Sequence, residues 1–315
     1  MTGWAGASRL PNWTWLAMLA LVWPFLVPSE GAHRTGIQLL VLVLVGLSLT
    51  VTVGWLRVIT LFQPAAVAAG AAVTAGLAAG GRSFVVALAA AAAAGAVTGW
   101  AALLPATGDP RRWLPATSLV LTAAGVLVVP RYVFRPFLPP TVLGMDLGGD
   151  RALYLVALVV AVLACLLLAR TGHADLGRRL RVVGAEPGLA ERSGVASATA
   201  WRDGLLLSGA LAGAAGCLTA LLYQGLPSAL EFSPTAAVAY LAIPLVGGTW
   251  LVGGAIVGAV VFLATARVGL TLGLASVVLP AALVTVAALA QRPGGLAEWM
   301  RASGGPALMD RLRSR

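Results

Sequence analysis

The amino-acid sequence predicts an all-α protein, a polytopic bundle of about eight to ten transmembrane helices, some of them short or broken. Of the 315 residues, 59% are hydrophobic and only 10% are charged, and the mean hydropathy is +0.93. Soluble domains carry about 25% charged residues, so this composition excludes an ordinary soluble domain. Apolar runs of about 20 residues recur along the chain, the length that crosses roughly 30 Å of hydrocarbon.

Ten apolar stretches are candidate spans. We interpret the first as a transmembrane helix rather than a signal peptide, because no small-x-small cleavage site follows it. The third, fifth, eighth and ninth are short and interrupted by Gly or Pro, and such spans are tolerated only where protein buries them or a cavity adjoins them. The predicted spans are residues 12–28, 37–56, 65–80, 84–104, 114–130, 152–169, 204–223, 235–250, 251–266 and 269–290.

The net charge of +10 comes entirely from arginine, since the chain contains no lysine. Basic residues accumulate in the cytoplasmic loops of membrane proteins. With a cytoplasmic N-terminus and ten spans, fifteen of the 21 basic residues fall inside, including those of a basic tail at 291–315. We therefore expect both termini in the cytoplasm and contacts with anionic lipid headgroups. The arginines are spread over many loops, which argues against nucleic-acid binding.

The sequence lacks the motifs of several common activities. Without lysine there is no Gly-x-x-x-x-Gly-Lys phosphate loop, so the chain has no ATPase site of the usual kind. His33 and His173 are far apart in sequence, and Cys165 and Cys217 each lie inside an apolar run. These two cysteines are typical of small core residues. We predict no catalytic residue, no metal site and no bound cofactor in this chain.

The acidic residues are placed near the ends of the predicted spans. Asp146, Asp150 and Glu231 follow this pattern, and no acid lies at the middle of a span. An ion-coupled carrier is expected to keep acids within the bilayer, so the chain resembles a passive pathway that needs an external motor. One alternative is a membrane-embedded enzyme or flippase for lipid-linked substrates, whose best catalytic cluster combines Asp146 and Asp150 with Arg131 and Arg135.

Small residues recur in the apolar runs and predict close helix packing. Lipid gives little hydrophobic drive for helix association, so glycines that let two backbones approach are favoured at helix contacts. Subunit association is the second interpretation of the same pattern. The predicted packing positions are Gly209, Gly213, Gly247, Gly248, Gly254 and Gly258.

Residues 170–203 form the most polar internal stretch and predict a cytoplasmic loop. Leu176, Leu180 and Val183 fall at i, i+4 and i+7, which indicates one apolar stripe on a short helix. Pro187 fits the first turn of a second short helix and Gly194 its end. Such a pair could rest on the anionic inner leaflet or bind a protein. The acidic side chains among the arginines slightly favour binding to a protein over resting on the lipid surface.

This loop carries a resemblance to a known family. The segments "GRRLRVVGAEPGLAERSGV", "LLLSGALAGAAGCLTALLY", "FSPTAAVAYLAIPLVGGTWLVGGAIVGA" and "QRPGGLAEW" occur in this order. They resemble the coupling loop and later helices of branched-chain amino acid ABC importer permeases of the LivM/LivH type, and LivM most closely. The positions of the coupling loop that match the family motif are Gly177, Arg178, Leu180, Arg181, Ala190, Glu191, Gly194 and Val195.

The resemblance implies a single transmembrane permease domain over 1–315, in a bacterial plasma membrane. A second related permease chain would pair with it, and an extracytoplasmic solute-binding protein would deliver the solute. Two cytoplasmic ATP-binding subunits, which use ATP and Mg, would dock on loop 170–203. The docking surface would comprise the matching positions above together with Pro187.

The N-terminal half departs from the family pattern. The family's Gly-Tyr-Ala-Gly-Gln-x-Ser-Leu-Gly segment, which lines the pathway, is here "GWLRVITLFQPAAVAAGAA". A scaffold subunit with a degenerate pathway is therefore a further alternative. An apolar route with few hydroxyls suits a small amino acid, branched-chain or similar, or an amide. The candidate pathway residues are Thr50, Thr52, Thr60, Gln63, Thr74 and Tyr240.

Overall fold

The computed structural model describes residues 30–104, 110–132, 141–142, 145–146, 149–192, 194–224, 232–249, 252–274 and 278–282. The predicted all-α fold class is confirmed. A π-helical segment, Thr50–Trp55, continues the first helix, and a two-residue antiparallel pair joins β1 (Thr141–Val142) to β2 (Met145–Asp146). The helices are α1 (Glu30–Leu49), α2 (Gln63–Ala79), α3 (Phe84–Ala101), α4 (Pro110–Tyr132), α5 (Asp150–His173), α6 (Asp175–Ala185), α7 (Pro187–Arg192), α8 (Ser197–Tyr223), α9 (Pro234–Tyr240), α10 (Ala242–Gly247) and α11 (Val252–Thr271).

Five helices in the described part of the chain are long and apolar enough to cross a membrane. They are α1 with its π-helical segment, α3, α5, α8 and α11. Helix α2 and the pair α9–α10 are apolar but shorter. The predicted span 12–28, half of the predicted span 269–290 and the tail 291–315 lie outside the described residues.

Several predicted boundaries differ from the structure. The predicted break between the ninth and tenth spans, at residues 267–268, lies inside α11, which continues to Thr271 because one arginine does not interrupt helical hydrogen bonding. The predicted span 235–250 corresponds to the apolar helical stretch Pro234–Gly247, which is divided into α9 and α10 at Leu241 because Pro244 has no N–H to donate to the Tyr240 carbonyl. The predicted loop 170–203 is helical at both edges, since α5 extends to His173 and α8 begins at Ser197.

The bundle has two ends, which we name by what lies there. At the α6 end, Gly184 of α6 contacts the backbone of Trp55, where the π-helical segment of α1 ends. At the opposite end, which we call the cavity end, Arg267 of α11 hydrogen-bonds Gln38 near the start of α1. Helices α1 and α8 therefore run between the two ends in opposite directions.

Helices α8 and α1 form the centre of the bundle. The most apolar 18-residue window of α8 is 83% buried and that of α1 is 72% buried, against 28% for α3. Their contact includes one polar pair, in which the Ser48 and Ser208 hydroxyls lie 2.8 Å apart. Ser208 also hydrogen-bonds the Ser48 carbonyl at 3.0 Å. Both hydroxyls are fully buried, so this pair satisfies polar groups that would otherwise be costly in the core.

Glycines bring α8 into backbone contact with α2 and α3. A Cβ at Gly209 would overlap the carbonyl oxygen of Gly95 on α3, and one at Gly213 would overlap that of Ala91. A Cβ at Gly216 would overlap the Val67 carbonyl on α2. The apolar side chains here are mostly methyl groups or hydrogens, so dispersion between closely approaching backbones replaces the usual interdigitation.

The pair α10–α11 forms a second glycine-mediated contact. A Cβ at Gly247 would overlap the Gly254 carbonyl, and one at Gly258 would overlap the Ile243 carbonyl. Gly248 ends α10 with φ at +109°, a conformation that side-chain-bearing residues rarely adopt. Gly248 thus ends α10 directly beside Gly254 of α11.

The chain is irregular between α1 and α2, over residues 56–62, which we call the break segment. Most of this segment is buried, so its backbone polar groups need partners within the protein. The Leu61 amide donates to the Ser118 hydroxyl of α4 at 3.0 Å, and the Thr122 hydroxyl donates to the Leu61 carbonyl. Two hydroxyls of α4 thus stabilise the buried, non-helical backbone of the break segment.

We expect Gly213→Val to destabilise the bundle by about 1–3 kcal/mol, the usual cost of overpacking a close contact. The valine would force α8 away from α3. Gly76→Val is the matched control, because Gly76 is also helical but exposed, with no atom near its Cβ position. The measurement is the thermal unfolding midpoint in detergent. Equal midpoints for the two variants would contradict the packing role of Gly213.

Candidate functional site

A cavity of about 370 Å³ lies between α1, α2, α8, α9 and α11 toward the cavity end. This volume is within the range of roughly 300–1,000 Å³ that is typical of small-molecule sites. The walls are mainly apolar, as expected for a site that accepts an aliphatic group. The apolar side chains used below are Val41, Leu42, Val45, Phe262 and Leu263.

A hydrogen-bonded polar group adjoins these apolar walls. The Arg267 guanidinium donates from Nη2 to Gln38 Oε1 at 2.6 Å and to the Thr35 hydroxyl at 3.1 Å. The Gln38 amide donates from Nε2 to the Tyr223 hydroxyl at 3.3 Å. Gln38, Tyr223 and Arg267 all line the cavity, so three helices contribute one polar group each to its rim. We call these three residues the polar rim.

In the described part of the chain, every hydrogen-bond partner of the Arg267 side chain is uncharged. The ion pairs found there are Arg34–Asp150, Arg178–Asp175 and Arg202–Asp203. Arg34, at the same end of the bundle, lies 2.9 Å from a carboxylate oxygen of Asp150. The guanidinium of Arg267 is therefore positioned by α1 without being neutralised by a carboxylate of these residues.

Of the six predicted pathway residues, Tyr240 lines the cavity. Its ring centroid lies 5.7 Å from that of Phe262, and the two rings form part of the wall. The Thr50 hydroxyl donates to the Gly46 carbonyl at 2.9 Å, and the Thr74 hydroxyl donates to the Gly70 carbonyl at 2.8 Å. These two hydroxyls thus bond carbonyls of their own helices.

The remaining three predicted pathway residues form a buried cluster beside the break segment. Gln63 Nε2 donates to the Thr60 hydroxyl at 2.8 Å, and Thr60 donates to the Thr52 hydroxyl at 3.0 Å. All three side chains are almost completely buried. The cluster ties the start of α2 to the π-helical segment of α1, below the cavity rather than in its wall.

Helix α6 is anchored to the bundle by one face. Leu180 and Val183 are fully buried, as the i, i+4, i+7 stripe predicts. A Cβ at Gly184 would overlap the Trp55 carbonyl oxygen, so α6 lies directly against the end of α1. The Arg181 guanidinium lies 5.8 Å from the Trp55 ring centroid and donates to a carbonyl at the end of α5.

A cation from α4 strengthens this anchor. The Arg111 guanidinium donates to the Val183 carbonyl at 3.0 Å and to the Gly184 carbonyl at 2.5 Å. These are two of the last carbonyls of α6, which have no partner within the helix, and a cation at a helix C-terminus is favourable. The adjacent Arg112 is exposed.

The opposite face of α6 is exposed. Arg178, Arg179 and Val182 are on this face, and Asp175 begins the helix. A hydrogen bond from Arg178, together with its positive charge, holds the pKa of Asp175 below its usual value. The acid therefore stays ionised at the helix N-terminus, where a negative charge is favourable.

Helix α7 extends the same surface. It begins at Pro187, as predicted, and Gly194 follows its end with φ at +76°. Glu191 and Gly194 are exposed, whereas Ala190 is fully buried. The residues predicted to dock a partner thus divide into three classes. Arg178, Glu191 and Gly194 are exposed; Arg181, Pro187 and Val195 are half-buried; Gly177, Leu180 and Ala190 are buried.

Helix α1 connects the two regions. Its α-helical part contributes Gln38, Val41, Leu42 and Val45 to the cavity. Its π-helical end contacts α6 through Trp55. A displacement of α6 would therefore act on the same helix that forms one wall of the cavity.

The sequence interpretation missed the polar rim. Gln38 and Tyr223 lie near helix ends and carry no motif, so nothing local distinguishes them. Arg267 did carry a signal, because it is the one charged residue in α11. An arginine inside an apolar span is costly and commonly functional. The predicted break at residues 267–268 puts Arg267 in a loop, whereas the structure places it within α11.

The cluster proposed for an enzyme is described only in part. Asp150 pairs with Arg34, as an ordinary surface ion pair does. Arg135 lies outside the described residues, and so do the side chains of Arg131 and Asp146. No group of three His, Cys, Asp or Glu side chains converges within the described residues.

Five apolar helices of membrane-spanning length, a cavity between helices and an amphipathic helical pair at one end are together the architecture of a multi-pass membrane protein. A family model described as "Branched-chain amino acid transport system / permease component" matches residues 33–289. The chain therefore belongs to this permease family, as its loop motifs had indicated. Comparisons with curated proteins and with solved structures found no match.

We expect Arg111→Met to loosen α6, because two carbonyls at its end would lose a charged donor. Hydrogen bonds to charged groups contribute about 1.5–3 kcal/mol, so amide exchange in α6 would accelerate roughly tenfold or more. Arg112→Met is the matched control, since it removes an adjacent exposed arginine. Hydrogen–deuterium exchange over residues 175–186 is the measurement. If the two variants exchange alike, Arg111 does not anchor α6.

Proposed function

We propose that this chain is a permease subunit of an ABC importer and forms the translocation pathway for branched-chain or similar small amino acids or amides. Membership of the permease family supports the transport role. The observation that carries the finer proposal is the α6–α7 pair, which is buried on one face and exposed on the other. Separate ATPase subunits, using ATP and Mg, would supply the energy.

The proposed orientation puts the α6 end in the cytoplasm of a bacterial plasma membrane, with both termini on that side. Its support is the distribution of positive charge. Arg57, Arg112, Arg170, Arg179 and Arg192 are exposed at the α6 end, and fewer arginines lie at the cavity end. An excess of basic residues marks the cytoplasmic side. The cavity would then face the side from which a solute-binding protein delivers.

The exposed face of α6–α7 has the mixed character of a protein interface. Arg178 and Arg179 supply positive charge, Glu191 supplies negative charge, and Val182 is an apolar side chain with 38% of its surface exposed. If the α6–α7 pair rested on anionic lipid headgroups, the negative charge of Glu191 would be repelled by them. We therefore assign this face to a cytoplasmic ATP-binding subunit, with a second subunit of the same kind on a related permease chain.

The contact of α6 with α1 suggests how force would reach the solute. Closure of the ATPase subunits would push or pull α6, whose Gly184 has no side chain separating it from the Trp55 backbone. The break segment and the π-helical end of α1 are the irregular backbone nearest that contact. We propose that they deform while the more regular half of α1, around the cavity, tilts with respect to α8.

Replacement of both Glu191 and Gly194 by alanine is expected to reduce co-purification with an ATP-binding subunit. The change removes an exposed charge and strains the turn that follows α7, since Gly194 has φ at +76°. The measurement is the amount of ATPase retained when the chain is co-expressed with its gene neighbours and solubilised under mild conditions. A loss of about tenfold corresponds to the removal of one or two good contacts.

Arg82→Ala is the control, because Arg82 is exposed on the turn between α2 and α3, at the other end of the bundle. It should retain the ATPase. If the unsubstituted chain never retains an ATPase under these conditions, the importer proposal is wrong.

A further inference from the structure

We infer that the polar rim is a carboxylate-recognition site, in which Arg267 binds the carboxylate of the solute and the apolar cavity takes its aliphatic side chain. This inference rests on the proposed function and names the chemical class of the solute. It selects amino acids and other short carboxylates over uncharged amides.

The first argument is the state of the guanidinium. A guanidinium has five N–H donors, and two donations from Nη2 go to Gln38 and Thr35. No described carboxylate pairs with it, and both of these acceptors are neutral. The positive charge is therefore held in place by hydrogen bonds but not cancelled, which is the arrangement that an anionic ligand requires.

The second argument is the position of the charge. Arg267 lies one turn before the end of α11, where its exposed side chain lines the margin of the cavity. A charge–charge contact weakens less there than in bulk water.

The third argument is the shape and chemistry of the remaining wall. Val41, Leu42, Val45 and Leu263 present aliphatic groups beside Arg267. A branched hydrocarbon of four or five carbons would bury its surface against them while its carboxylate stayed at the rim. The Tyr240 and Phe262 rings, whose centroids lie 5.7 Å apart, complete the apolar wall.

Orientation of the guanidinium depends on Gln38. Its Oε1 accepts from Arg267 while its Nε2 donates to Tyr223, so one side chain of α1 connects α11 to α8. Movement of α1 would therefore shift the charge together with the aliphatic wall, and the site would be altered when the proposed transport cycle moves α1.

Protection of a cavity cysteine tests the inference on the chain alone. Val41→Cys is made with Cys165→Ala and Cys217→Ala, and labelling by N-ethylmaleimide is followed in vesicles of phosphatidylcholine. The two probes are isocaproate and isopentylamine, which are leucine without its amino group and leucine without its carboxylate. We expect isocaproate to slow labelling and isopentylamine to have much less effect.

Substitution of the arginine gives the decisive comparison. In Arg267→Gln, the isocaproate concentration that halves the labelling rate should rise about tenfold or more, as expected for a lost charged hydrogen bond. Arg267→Lys keeps the charge without the planar fork and should show an intermediate value. Arg82→Gln, at the same end but outside the cavity wall, should match the unsubstituted chain.

Several outcomes would overturn the inference. The first is equal protection by the two probes. The second is protection by isocaproate that is unchanged in both Arg267 variants. A third is protection by added phosphatidylglycerol but not by isocaproate, which would assign Arg267 to lipid headgroups. The assay contains no ATPase, so it is separable from the proposed function. An importer complex whose cavity ignores isocaproate overturns only this inference, whereas a chain that binds isocaproate but never an ATPase overturns only the importer role.

Discussion

The backbone contact of α8 with α2 and α3 is the constraint on which the rest of the structure depends. Lipid offers little hydrophobic drive for helix association, so the bundle relies on dispersion between closely packed backbones. Gly209, Gly213 and Gly216 provide that approach along one helix. Helix α8 is held centrally in this way and supports α1 through the buried pair Ser48–Ser208. Both functional regions are then arranged along α1.

Helix α1 is regular where it forms the cavity and irregular where it contacts α6. The π-helical segment Thr50–Trp55 and the break segment would be unstable in lipid, but α4 supplies hydroxyls to the backbone of the latter. The fully buried Leu180 and Val183 side chains and the Arg111 contacts make α6 part of the bundle rather than a flexible tether. Helix α1 thus connects the contact with α6 to the wall of the cavity.

The accuracy of sequence-based prediction differed sharply between the two regions. The limits of α6 and α7 agree with the pattern because an amphipathic stripe, Pro187 and Gly194 act through local backbone geometry. The cavity was only partly anticipated. The interrupted spans do contribute to its wall, Tyr240 among them, but Thr50 and Thr74 bond their own helices. Whether a hydroxyl faces a cavity or a helical carbonyl depends on helix rotation, which composition does not specify.

The amino-acid sequence by itself determined the all-α membrane class, the permease family and the helical pair at α6–α7, since each depends on composition, local periodicity or contiguous motifs. The tertiary structure alone decided which polar groups meet at the cavity. Gln38 and Arg267 are separated by 229 positions, and their contact follows from how α1 and α11 are held against α8 and α10. No local pattern encodes that distance, because it results from the packing of several helices at once.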